Sequence, residues 1–94
     1  DNEDLIIEKS DNSITVDATY RLDDLENLFS ISIKRDDDEI YTVGGLVYSK
    51  INRIPKNNEI IHIDNILNFK ILKSNNRKIE TIEIKKINWL YLFF

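Results

Sequence analysis

The sequence predicts a small α+β domain, and three observations predict it: two stretches of helical hydrophobic spacing, a later switch to period-two alternation, and turn-forming asparagines between the segments. Leu22, Leu25, Leu28 and Phe29 fall on one side of a helix, whereas Leu67, Phe69 and Ile71 fall on one face of a strand. The expected order is an N-terminal β-hairpin, two short helices and a C-terminal three-stranded antiparallel meander. A chain of 94 residues makes one such domain. It has room for a single core and little for a large cleft.

Asp1 to Asp4 are polar and acidic, as suits a linker arriving from an upstream domain. Leu5 to Lys9 is expected as an edge strand, turning at Asp11 and Asn12 into a second strand at Ser13 to Asp17. Arg21 to Ser30 is the first helix, with Asp23 and Asp24 complementing the dipole of its first turn. Arg21 is a poor cap, so Thr19 or those aspartates are expected to replace it. Ile31 to Ile40 is a joining loop that contains the acidic run Asp36, Asp37, Asp38 and Glu39.

Thr42 can cap a second helix in which Val43, Leu46, Val47 and Ile51 share a face. Asn52 suits the left-handed residue after it, and Pro55 stops any continuation. The meander strands are expected at Glu59 to Asp64, Leu67 to Lys73 and Lys78 to Lys86. Ile79 is out of phase with Ile82 and Ile84, which predicts a bulge near Glu80 and Thr81. One sheet face should meet both helices. The domain proper therefore spans Leu5 to Ile87, and residues 88–94 form a tail whose apolar part, Trp89 to Phe94, is too short to cross a membrane. That tail is expected to dock on the domain's own surface rather than on another copy, a neighbouring domain or a membrane.

Tyr41 to Pro55 holds both glycines and the single proline. Asparagines occupy the expected turns, so Gly44 and Gly45 are not needed for turning. What remains is the absence of a Cβ, which lets the backbone approach helix one or the sheet closely. The adjacent glycines also invite an anion at the helix start, although the phosphate-loop and dinucleotide patterns are both missing. Thr42, Gly44 and Gly45 are the candidate ligand residues.

Other chemistry finds little support. The net charge is −4, with Lys and Arg scattered, which argues against a nucleic-acid partner. The chain has no cysteine, which excludes disulfides and thiolate metal sites. No apolar run reaches the ~20 residues that span a bilayer. The chain starts at Asp1 and contains no methionine, as expected of a piece of a longer protein. His62 lacks a second histidine or cysteine for zinc, and Ser49 and Ser74 lack a nucleophile elbow. Asp36 to Glu39 lack the alternate spacing and glycine of a calcium loop, so a solvated loop is expected and a metal role is the weak alternative.

Tyr41, Thr42, Val43, Gly44, Gly45, Leu46 and Val47, with Pro55 eight residues later, resemble the transporter-associated domain found at the C-terminal end of CorC and HlyC-type membrane proteins. Val16, Asp17 and the Asp23, Asp24, Leu25 turn extend the likeness from about Leu5 to Ile87. Asn52, Asn58 and Asn65 stand where that family commonly has glycine, Arg21 replaces its usual small cap, and the tail is outside its pattern. The resemblance implies an upstream membrane region and paired CBS domains, a place on the cytoplasmic side of the cell membrane, and a parent linked to magnesium or cobalt efflux or carrying a hemolysin label. It further implies a noncatalytic accessory domain that acts through its neighbours or a second copy, with no cofactor expected. Its fold is similar to part of a flavin-binding architecture. Flavin or adenine nucleotide binding is the alternative by fold analogy, with no flavin-contacting motif to carry over.

Overall fold

The computed structural model describes residues 2–87. Its elements are β1 (Ile6–Lys9), β2 (Ser13–Asp17), α1 (Leu22–Phe29), α2 (Val43–Ile51), β3 (Ile60–Ile63), β4 (Leu67–Ser74) and β5 (Ile79–Lys86). The expected hairpin and meander are not separate. They fuse into one antiparallel sheet of order β1-β2-β5-β4-β3, because β2 pairs with β5 along its whole length.

The register explains the fusion. Ile14 faces Ile84, and Ile84 faces Phe69; Val16 faces Ile82, and Ile82 faces Ile71. These rows of buried side chains form one apolar face against which Leu22 and Leu25 of α1 and Val43, Leu46 and Val47 of α2 are also buried. Sheet and helices therefore share one core, with hydrophobic burial on one face only.

The expected bulge lies where the alternation broke. Ile71 pairs with Ile82, Lys73 with Thr81 and Ser74 with Ile79, which leaves Leu72 and Glu80 without direct partners. The irregularity returns Ile79 to the buried face beside Ile82 and Ile84. Glu80 is not idle there, since its carbonyl accepts a 2.9 Å bond from the Ala18 amide just beyond β2.

Turns follow the asparagine pattern. Asn52, Asn58 and Asn65 have positive φ, as do Ser30 and Asp64, while neither glycine does. Two details differ from expectation. Leu5 closes a short 3-10 turn at Asn2–Leu5, so β1 starts one residue later and the supposed linker carries structure. Thr19 does not cap α1, because its amide and hydroxyl both donate to Asp17. The long connection is fastened at its start: Ile33 is buried, Arg35 bonds Glu26 at 2.7 Å and Asp23 at 3.2 Å, and the Ile33 amide donates to Glu26 at 2.8 Å. Trp89 to Phe94 lie outside the described residues.

Candidate functional site

The starts of the two helices meet at the Tyr41 to Gly45 stretch. Leu22 N donates to Tyr41 O, and Val43 N donates to Tyr20 O, each at 2.9 Å, forming an antiparallel bridge between Arg21 and Thr42. One bond further, Gly44 N donates to Ala18 O at 2.9 Å. Gly45 N then donates to the Thr42 hydroxyl at 3.0 Å, the cap the sequence predicts. Leu46 N returns to Thr42 O within the helix.

Two consequences follow for the candidate residues. A Cβ on Gly44 would stand 2.9 Å from Ala18 Cβ and 3.0 Å from Ala18 O, so close that the backbone or Ala18 would have to shift. Gly44 thus has the close-approach role expected of the pair, and of the two expected surfaces, helix one or the sheet, it is the sheet side that it meets, at Ala18 just beyond β2. A Cβ on Gly45 would meet only Thr42 Oγ1 at 3.1 Å and Ile40 Cγ2 at 3.8 Å. The amides of Val43, Gly44, Gly45 and Leu46 all have protein acceptors, so the donors that make a helix start attractive to phosphate are already engaged.

What Thr42 and Gly45 do border is a surface groove. One lobe, of about 470 Å³, lies between α2 and the β4–β5 turn, bounded by Thr42, Gly45, Tyr48, Arg77 and Lys78. The second, of about 720 Å³, continues past Tyr48 and Ile54 to Arg53, Lys56, Asn57 and Asn75. Among the described residues, four cations and no carboxylate line the two lobes, in a chain whose net charge is −4. Arg53 is spoken for: it forms a two-pronged pair with Glu59 and, with the Lys56 amide, holds that carboxyl down at about 2. Among the described residues Lys56, Arg77 and Lys78 make no ion pair. Tyr48 presents an exposed ring between the lobes.

The acidic run is placed apart from any metal set. Asp36, Asp37, Asp38 and Glu39 are exposed, and Asp37 uses its carboxylate to accept the Glu39 amide at 2.9 Å. Among the described residues no three His, Cys, Asp or Glu side chains converge on a common point for a cation. His62 is exposed and bonds Asn68 through Nδ1. The Ser49 hydroxyl donates to Leu46 O at 2.7 Å and that of Ser74 to Pro55 O at 2.6 Å, which leaves neither poised on a histidine base. Sequence reasoning missed the groove, whose signals were the adjacent Arg77 and Lys78 beside the Asn75 and Asn76 turn, and Tyr48 on the outward phase of α2.

Comparison with known proteins agrees with the geometry of this fold. The family model for the transporter associated domain, CorC_HlyC, matches residues 7–88. Hemolysin C of Brachyspira hyodysenteriae is 36% identical over 88 residues, covering 93% of this chain but 32% of its own length. The chain thus spans about a third of that relative. Among solved structures, the transporter associated domain of Nitrosomonas europaea superposes with a TM-score of 0.74 at 20% identity, covering 88% of this chain and 96% of its own. A region of Neisseria meningitidis MC58 described as associated with an Mg2+ and Co2+ transporter (CorC) gives 0.73 at 23% identity, covering 88% and 99%. Both likenesses concern the fold.

Proposed function

This chain belongs to the CorC_HlyC transporter associated domain family, and from that premise we propose that it is a noncatalytic accessory domain that regulates a membrane ion transporter by protein contact. The observation that carries the proposal is the family match across residues 7–88. The parent would be of the magnesium and cobalt efflux type, with membrane and CBS domains upstream and this domain on the cytoplasmic side of the cell membrane. The description of the Neisseria region supports the choice of ion. No helix among the described residues is long and apolar enough to cross a membrane. Engagement of the Ser49 and Ser74 hydroxyls by backbone carbonyls supports a role without nucleophilic catalysis. Deleting the domain from its parent should alter cellular magnesium or cobalt retention, or assembly of the transporter. Unchanged efflux with unchanged assembly would contradict the proposal.

A second function, sensing an adenine nucleotide or flavin, is favoured by one observation. The lobe beside Thr42, Gly44 and Gly45 offers the Tyr48 ring for stacking and Arg77 and Lys78 for phosphate. Side chains, not the engaged amides, would hold such a ligand. Thermal unfolding with ATP, ADP, AMP, FAD and magnesium tests it. Ligand at ~100 times its dissociation constant adds about 2.7 kcal/mol, or roughly 10 to 20 °C in a domain of this size. A flat response across the panel would leave protein contact as the function.

A further inference from the structure

We propose that Trp89 to Phe94 fold back over the end of the domain at which β5 finishes, packing on Phe29, Ile31 and Ile66 of the same chain. The tail then completes the domain's own core, whether or not the domain regulates a transporter.

The chain leaves the sheet beside incompletely covered apolar surface. The Ile87 amide donates to Ile66 O at 2.9 Å, next to the turn from β3 to β4. Two bonds draw the segment after α1 across the same end: Lys86 Nζ donates to Phe29 O at 3.3 Å, and the Lys34 amide donates to the Asp64 carboxylate at 3.1 Å. Ile31 lies in sequence between those two anchors. Phe29, Ile31 and Ile66 all pack against the core, yet each is only half-buried. Among the described residues, these side chains leave the core open where residues 88–94 begin.

Reach narrows the choice of surface. Seven residues extend at most roughly 25 Å. The groove beside α2 is bordered by Ile79 at the opposite end of β5, and the strand from there to Ile87 covers roughly 26 Å. Even fully extended, only the tip of the tail could touch it. Ile66 is bonded to Ile87, and Phe29 lies one lysine side chain from Lys86, so the apolar end is accessible from Trp89 onward.

Chemistry decides between the two surfaces within reach. The sheet face away from the helices offers Ser13, Lys85, Asn68 and His62 in one row beside the exit. Covering that lysine and amide with apolar side chains would strip their water and return no partner. The end at Phe29, Ile31 and Ile66 offers apolar side chains with a polar rim at Asp64 and Lys86. Such a patch suits Trp89 and Tyr91, whose rings each carry one polar atom, and the leucines and phenylalanines between and beyond them.

Trp89 is the chain's single tryptophan, so its fluorescence reads the tail directly. In the folded chain, at concentrations where sedimentation velocity shows a monomer, its emission should be blue-shifted from the urea-unfolded position. Ile31→Ser should move it back towards that position while circular dichroism keeps the fold, and Tyr48→Ser in the distant groove should leave it unchanged. A thermal double-mutant cycle covers the case of a variant that loses stability. Ending the chain at Asn88 should lower the melting midpoint by at least about 5 °C. Ile31→Ser should then lower it by at least about 4 °C more in the full chain than in the shortened one, because the contact it weakens is present only in the former.

Trp89 emission at the unfolded position in the folded monomer would overturn the proposal. So would a blue shift that appears only with dimers or on adding lipid vesicles, which would assign the tail to a second copy or to a membrane. A blue shift that Ile31→Ser leaves untouched, with additive midpoints, would put the tail elsewhere on the domain and contradict the proposal equally.

Discussion

The starts of α1 and α2 lie across a two-bond bridge from each other and are completed by different means. α2 carries its own cap: Thr42 accepts the Gly45 amide, as a side chain chosen for that position should. α1 begins at Arg21, whose side chain caps nothing and instead lies over the Tyr41 ring at 5.4 Å. Its first free amide, that of Leu22, is satisfied by Tyr41 O from the other strand of the bridge. A local cap can be read in sequence, whereas a cap supplied by tertiary pairing frees its position to hold any residue. The bridge leaves the next residues, Ala18 and Gly44, in direct contact, and a glycine is needed there for space, not for an unusual backbone angle.

Substitutions break or sharpen this comparison in a definite order. Gly44→Ala should be the most damaging, by about 2 kcal/mol in urea unfolding, because overpacking against Ala18 outweighs the ~1 kcal/mol that alanine gains in a helix. Thr42→Ala should lower stability by about 1 kcal/mol, while Arg21→Ala at the opposite helix start should change it by less than about 0.5 kcal/mol. Equal effects at the two caps would mean that the bridge does not complete α1.

Acid should act on the same surface more weakly. Asp17 is held below its usual value by bonds from the Thr19 hydroxyl and amide, and Glu59 is held at about 2 by Arg53 and the Lys56 amide. Carboxyls lowered in the folded state contribute stability above their unfolded values, here 3.8 and 4.5, and lose it as pH falls through the folded ones. The melting midpoint should therefore decline from below about pH 5 towards pH 2, and Glu59→Gln combined with Asp17→Asn should flatten that decline. The smallest effect is expected at Gly45. Gly45→Ala should alter stability by no more than about 0.5 kcal/mol, since helix propensity offsets a tight contact with Thr42 Oγ1.

Most of the fold was legible because its signals are local. Alternation placed β2, β4 and β5 within about a residue, the phase break at Ile79 located the bulge, and Asn52, Asn58 and Asn65 marked left-handed turns. Long-range relations were not legible. Nothing in Ser13 to Asp17 says that it pairs with Thr81 to Lys85, and nothing in Arg35 says that it reaches Glu26 and Asp23. The glycine pair was recognised as a packing feature, but its partner Ala18 and the inequality between Gly44 and Gly45 emerge only in the folded chain. The groove was hidden for the same reason, since Tyr48 and Lys78 meet only after the sheet forms.

The contact between Gly44 and Ala18 is the centre of this account, and a double-mutant cycle of Gly44→Ala with Ala18→Gly in urea unfolding tests it most directly. Removing the Ala18 Cβ should relieve one of the two clashes and leave the one with the carbonyl, so Gly44→Ala should be at least about 1 kcal/mol less damaging in the Ala18→Gly background. Additive effects, or a Gly44→Ala variant as stable as the parent sequence, would contradict it.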